Sequence, residues 1–234
     1  MCIRDRQPAT TDSADSQPPK VVDTALVSPE DFKPKVKILA KHYHHRGDEP
    51  ADLELIEHFT EIIENPESDI AQQTNAYINR GVIYFRDKKY EQAIDSYTKA
   101  MENASEKQMV QIYVNRGMAY SSLSEPEYQL AVQDFDRALS IAPQYFDAYV
   151  NRGIAFASLG QYEKAIADYT KAIAIHPDNP DVHYAEAFTL ALEENQQQKA
   201  IEAYTKAATL YQKEGREEYA RSALEKVEEL QQEI

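Results

Sequence analysis

A short motif that recurs at a fixed spacing is the feature that most constrains this chain. The motif reads YVNRG at 113–117 and again at 149–153, and YINRG at 77–81. Its last residue aligns Gly81, Gly117 and Gly153 with Ala187, at spacings of 36, 36 and 34 residues. Such a period is typical of repeat architectures, in which each unit is one supersecondary element that stacks on its neighbours.

Further columns follow each of these positions and indicate a second helix in every unit. Within a unit, apolar and small residues recur at spacings of three and four, and turns fall at DKK, SEPE, LGQ and EENQ. Each unit is therefore predicted to be a helical hairpin. The small first-helix residue is expected to face an alanine of the second helix, and the aromatic residues to fill the space between units. The second-helix columns are Ala93, Ala131, Ala165 and Ala200, then Tyr97, Phe135, Tyr169 and Tyr204, then Ala100, Ala138, Ala172 and Ala207.

The pattern resembles the tetratricopeptide repeat. A small residue is followed by an aromatic three positions later, then by A-x3-[YF]-x2-A and often by proline. The resemblance covers roughly residues 74–210 and implies an all-α, right-handed solenoid of antiparallel helical hairpins. The family's tryptophan column is occupied here by Tyr77, Tyr113, Tyr149 and His183, and the following leucine column by Arg80, Arg116, Arg152 and Glu186.

The repeats divide the chain into units of about 74–109, 110–145, 146–179 and 180–210. Residues 35–73 are predicted to form a degenerate helical pair, since ELIEHFTEIIENP echoes EQAIDSYTKAMEN. Residues 211–234 are predicted to form a capping helix with one apolar stripe. That stripe contains Tyr219, Ala220, Ala223, Leu224, Val227 and Leu230.

The N-terminal residues need separate treatment. MCIRDR at 1–6 resembles the translation of a transposon end used in sequencing libraries, and residues 7–34 have the Pro, Ser, Thr and Asp composition of a disordered linker. The first six residues contain the one cysteine, Cys2, so cysteine usage does not indicate a redox compartment. The native N-terminus is expected to be missing, and both cytoplasmic and exported or anchored locations stay open.

Charge and motif content exclude several classes of function. A net charge of -15 disfavours nucleic acid and anionic membranes, and the ordered region has no apolar run long enough to enter a bilayer. No nucleophile elbow, phosphate loop or metalloprotease motif is present, so we predict neither an enzyme nor a cofactor. His42 and His45, with Asp48 or Glu49, form an incomplete ligand set, and no metal is predicted.

The recurring asparagines are the main candidates for a binding function. In the family that the repeats resemble, their first-helix position lines the concave face, which implies a ladder of Asn79, Asn115 and Asn151 along a groove. A carboxamide both donates and accepts hydrogen bonds and suits the backbone of an extended peptide. Neighbouring positions are predicted to form an apolar floor with one basic residue, Arg86. The floor residues are Ile78, Val82, Phe85, Val114, Met118, Val150, Ile154, Tyr184 and Phe188.

Two alternatives for these residues stay open. In the first alternative, the floor side chains do not contact a ligand and simply pack on adjacent helices. In the second, the YxNR motif contributes to a clamp for a terminal carboxylate, as in the co-chaperone domains that it resembles. The basic residues of that clamp are missing here, where Ile78 and Val82 occupy two of the places. The arginines have a structural explanation, and we predict the pairs Arg116 with Asp134 and Arg152 with Asp168.

These observations favour a non-enzymatic interaction module that binds an extended peptide segment of a partner protein, in a scaffold or assembly role. One alternative is a regulatory or sensor domain of a larger anchored or enzymatic protein. Another is a solenoid that associates with itself.

Overall fold

A computed structural model describes residues 50–193 and 195–232 of the chain. The proposed artefact, the linker, the first helix of the degenerate pair and the histidine-rich segment at 42–45 lie outside these residues. The described part contains ten α-helices and no strand. They are α1 (Pro50–Glu64), α2 (Ile70–Arg86), α3 (Tyr90–Ala100), α4 (Glu106–Ser122), α5 (Tyr128–Ile141), α6 (Phe146–Ser158), α7 (Tyr162–Ile175), α8 (Pro180–Ala191), α9 (Gln197–Lys213) and α10 (Glu217–Gln232).

The helices form a stack of hairpins. Each packs mainly on its neighbours in the sequence, and α2, α4, α6 and α8 also touch one another in succession. The buried side chains form four clusters that follow one another along the stack, with no single central core. This arrangement, in which each unit contacts only the adjacent units, is that of a solenoid. The predicted all-α solenoid of helical hairpins is therefore confirmed.

The repeated glycines make room for an aromatic ring of their own hairpin. A Cβ atom added to Gly81 would lie 2.6 Å from Cε1 of Tyr97, and one added to Gly153 would lie 2.6 Å from Cε1 of Tyr169. At Gly117 the nearest atom is Cε1 of Phe135, at 2.8 Å. In each hairpin the ring is the nearest neighbour of the glycine, whereas the sequence predicted the alanine column there; at Gly117 the carbonyl oxygen of Ala131 is also close, at 3.2 Å. The ring is longer than the alanine side chain, so it fills the space that the missing Cβ leaves.

A left-handed residue ends the first helix of several hairpins. Gly160 has a φ of 69°, and Lys88 and Asn195 adopt φ values of 59° and 68° in the corresponding turns. The next amide then bonds back to the helix, as Gln161 N does to Phe156 O at 2.9 Å and Lys89 N to Tyr84 O at 2.8 Å. Glycine adopts this conformation without steric strain and asparagine tolerates it, whereas Lys88 is strained there.

The C-terminal helix α10 packs on α9 by burying Ala220, Ala223, Val227 and Leu230. Leu224, which the sequence placed on the same stripe, is 39% exposed. The 3.6-residue period places it at the margin of the stripe, where α9 does not cover it.

A buried polar cluster holds the turn that leads into α10. Asp181 in α8, which is 2% exposed, accepts a hydrogen bond from Tyr211 Oη at 2.8 Å and one from Arg216 Nη2 at 2.9 Å. The Arg216 guanidinium also lies over the rings of Tyr211 and Tyr219, at 4.5 and 4.4 Å from their centroids. The cluster therefore joins α8, the end of α9 and the turn into α10.

Across the described ranges, no helix combines the length and the apolar character needed to cross a membrane.

Candidate peptide-binding groove

A cleft of about 560 Å³ lies along α1, α2 and α4 and ends at the start of α6. Eight of the thirteen predicted groove residues line it. These eight are Ile78, Asn79, Val82, Phe85, Arg86, Val114, Asn115 and Met118. The cleft therefore contains the first two rungs of the predicted asparagine ladder together with the apolar residues around them.

The two asparagines in the cleft have side chains that are open to a ligand. Asn79 is exposed and Asn115 is half-buried. Among the residues that the structure describes, no hydrogen bond engages either side-chain amide. Each carboxamide can therefore donate to and accept from a bound group.

Asn151 differs from the other two, although its motif is the same. It is 4% exposed and does not line the cleft. Its Nδ2 donates to the carbonyl of Asp147, one turn earlier in α6, at 2.8 Å. A buried amide has to satisfy its N–H groups within the protein, and Asn151 does so on its own helix. The ladder thus has two rungs in the cleft, whereas the sequence predicted three.

The four predicted apolar groove residues that do not line the cleft contribute to the core, as the packing alternative expects. Ile78, Val114 and Met118 of the cleft floor are also buried in core clusters. Val150 and Ile154, 2% and 4% exposed, belong to the cluster that contains Tyr169. Tyr184 is 4% exposed and meets the ring of Tyr204 edge-on at 5.1 Å. Phe188 is partly buried against the same cluster as Tyr184. In the last two hairpins these positions are covered by neighbouring helices.

An acidic residue of α1 neutralises the basic residue of the cleft. Arg86, predicted as the basic residue of the groove, forms an ion pair with Asp52 in the first turn of α1. Both side chains are largely buried, at 15% and 6% exposure. At the far end, burial raises the pKa of the Asp147 carboxyl, and nearby His176 opposes that shift. The Arg86 charge is therefore neutralised by a neighbour within the protein.

Sequence reasoning missed several residues of the cleft. Leu55 and Phe59 of α1 line it, as do Gln111 and Tyr145. The i, i+4 spacing of Leu55 and Phe59 indicated an apolar face on α1. The sequence did not show that this face borders the same space as the asparagines, because α1 lacks the YxNRG motif.

The arginines of the motif lie away from the cleft and bridge second helices. Nε and Nη2 of Arg116 donate to Asp134, both at 2.8 Å, and those of Arg152 donate to Asp168, both at 2.7 Å. Both predicted pairs are confirmed. Asp134 and Asp168 are each 5% exposed, so these are partly buried bidentate pairs and not surface contacts.

Each arginine also reaches the second helix of the preceding hairpin. Nη1 of Arg116 donates to Thr98 at 3.0 Å, and Nη1 of Arg152 donates to Asp136 at 2.5 Å. Arg80 makes the corresponding contacts with Ser96, at 3.3 Å, and Thr60, at 3.2 Å. We call this recurring arrangement the arginine tie. It explains why an arginine recurs beside the asparagine.

The sequence matches models of a known protein family. Two family models, both described as "Tetratricopeptide repeat", match the chain, one at residues 74–106 and 146–179 and the other at 110–145 and 201–234. The last match joins α9 to α10 as one unit. A search of curated proteins found no match.

Solved structures of MamA have a similar fold. A crystal structure of MamA is 21% identical, with a TM-score of 0.62, over 74% of this chain and 99% of that one. A structure of MamA from residue 41 to the end, from Desulfovibrio magneticus RS-1, is 19% identical with a TM-score of 0.62, over 70% of this chain and 88% of that one. At these identities the likeness concerns the fold alone.

Proposed function

We propose, from the premise that this chain belongs to the tetratricopeptide repeat family, that it binds an extended segment of a partner protein in the cleft along α1, α2 and α4. The family and fold support a protein interaction module. The choice of cleft and of ligand conformation is our proposal. A scaffold or assembly role, without catalysis, follows from it.

The observation that carries the proposal is the presence of two open carboxamides above an apolar floor in one cleft. Packed helices lie about 8–10 Å apart, and an extended strand rises about 3.3 Å per residue. Asn79 and Asn115, on successive first helices, would therefore contact backbone groups about three residues apart in the ligand. Contacts to the backbone hold a peptide in register without selecting its sequence.

Side-chain selection would come from the floor and from charge. Val82 and Phe85 are only partly buried, so apolar ligand side chains can cover them. Arg86 is the one cation among the described residues that line the cleft, and it is paired with Asp52. The protein as a whole carries a net charge of -15. A neutral or basic segment with apolar side chains is therefore favoured, and a carboxylate clamp gains no support.

The test uses a random-peptide phage library selected against the wild-type protein. Affinities of the selected peptides are then measured for the double variant Asn79→Ala/Asn115→Ala. Each lost hydrogen bond is worth about 0.5–1.5 kcal/mol, so the loss of two should weaken binding roughly 5- to 140-fold. The helical circular dichroism signal should not change, because neither side-chain amide has a hydrogen-bond partner within residues 50–193 and 195–232.

Asn103→Ala provides the matched control, since Asn103 is exposed in the turn after α3 and lies outside the cleft. It should leave every affinity unchanged. Selected peptides that bind the double variant as tightly as the wild type would exclude the two asparagines as ligand contacts. Peptides that need a free C-terminal carboxylate would instead support the clamp.

A further inference from the structure

The arginine tie is broken in the fourth hairpin. By alignment of the repeats, the position of Arg80, Arg116 and Arg152 is held in α8 by Glu186. The second-helix position of Asp134 and Asp168 is held in α9 by Ala203. The preceding second helix still offers a hydroxyl, and Thr170 Oγ1 donates to Glu186 Oε1 at 3.2 Å. Two of the three groups of the tie have therefore changed.

A cavity opens where the guanidinium would lie. It has a volume of about 590 Å³ between α7 and α9, and Glu186, Thr170 and Ala203 all line it. A glutamate side chain is shorter than that of arginine, and Ala203 presents only a methyl group to the space. In the other hairpins an arginine side chain spans the gap between successive second helices, whereas here Thr170, Glu186 and Ala203 border open space.

The chemistry of the cavity suits a planar cation. Its carboxylates belong to Glu163, Glu186 and Glu202, and its basic groups are the ammonium groups of Lys199 and Lys206 and the imidazole of His183, whose pKa is lowered by burial. Burial raises the pKa of the Glu186 carboxyl, and the Thr170 hydroxyl partly offsets that effect. A cation at this place would therefore relieve a desolvated charge. A guanidinium is more weakly hydrated than an ammonium and donates in a fixed plane, so it enters a half-buried site at lower cost.

The other hairpins of this protein show which chemical group lies at the equivalent position. In three other hairpins a guanidinium lies between successive second helices, donating to a hydroxyl or a carboxylate on each side. We propose that the cavity at Glu186 binds an arginine side chain of a partner protein, whose guanidinium would donate to the Glu186 carboxylate and the Thr170 hydroxyl. This site lies between α7, α8 and α9 and shares no lining residue with the cleft that contains Asn79 and Asn115.

The direct test titrates the folded chain with three small probes at constant ionic strength. These are N-acetyl-arginine amide, N-acetyl-lysine amide and N-acetyl-citrulline amide, followed by the NMR shifts of the Thr170 and Glu186 amides. We expect saturable binding of the arginine probe, weaker binding of the lysine probe, and none of citrulline, which keeps the shape but lacks the charge. Equal responses to arginine and citrulline would overturn the proposal.

A variant that fills the cavity supplies the second arm. Glu186→Arg with Ala203→Asp rebuilds the tie within the chain, so the arginine probe should no longer bind. Glu186→Gln, which keeps the shape, should weaken arginine binding about tenfold and decides the question if the double variant does not fold. Glu217→Gln, at an exposed position of α10, is the control and should change nothing. Arginine binding that survives both Glu186 variants would refute the site.

Discussion

Gly153→Ala tests the finding that a first-helix glycine accommodates the aromatic ring of its own hairpin. The added Cβ would lie 2.6 Å from Cε1 and 3.0 Å from Cδ1 of Tyr169. Tyr169 is fully buried, at 0% exposure, so its ring cannot move into solvent to avoid the contact. The ring or the helix backbone must therefore shift.

Two effects of opposite sign decide the outcome. Replacing glycine by alanine inside a helix stabilises it by about 1 kcal/mol. Overpacking a well-filled core costs about 1–3 kcal/mol, and a contact as short as 2.6 Å falls in the upper part of that range. The free energy of unfolding should therefore fall by about 1–2 kcal/mol, although the substitution favours the isolated helix.

The assay is urea-induced unfolding followed by far-ultraviolet circular dichroism, run as a double-mutant cycle with Tyr169→Leu. In the Tyr169→Leu background the clash is absent, so Gly153→Ala should stabilise by its helix propensity alone. A stabilising effect of Gly153→Ala in the wild-type background would refute the steric explanation. So would a cycle with no coupling between the two positions.

Two further predictions concern the turn after α2 and the buried cluster around Asp181. Lys88→Gly should raise the free energy of unfolding by about 0.5–1 kcal/mol, because it removes left-handed strain at φ 59°. Gly160→Lys, at the corresponding turn after α6, should lower the free energy of unfolding. Urea unfolding measures both effects, and no change at either position would exclude this strain. Asp181→Ala should cost about 3 kcal/mol, since it leaves the Arg216 guanidinium and the Tyr211 hydroxyl without their shared partner. The exposed Asp178→Ala is the control, and equal losses in thermal unfolding at the two positions would contradict the role given to the cluster.

The solenoid and the arginine pairs could be predicted from the sequence because both depend on the repeat itself. Columns such as Ala93, Ala131 and Ala165 specify the same local hairpin each time, and stacking equal units generates the fold. The partner of Arg116 was also accessible, since Asp134 recurs as Asp168 in the next unit. A contact within one unit is repeated with the unit, so its register can be read from the alignment.

The tertiary structure alone decided which copies of a motif remain available to a ligand. Asn115 and Asn151 share the sequence YVNRG and the same helical position, yet one faces the cleft and the other is buried on its own helix. Arg86 was expected to be an open charge until α1 placed Asp52 against it. A local sequence sets the backbone and the direction of each side chain. Whether that side chain meets solvent, a neighbouring helix or an opposite charge depends on parts of the chain distant in sequence.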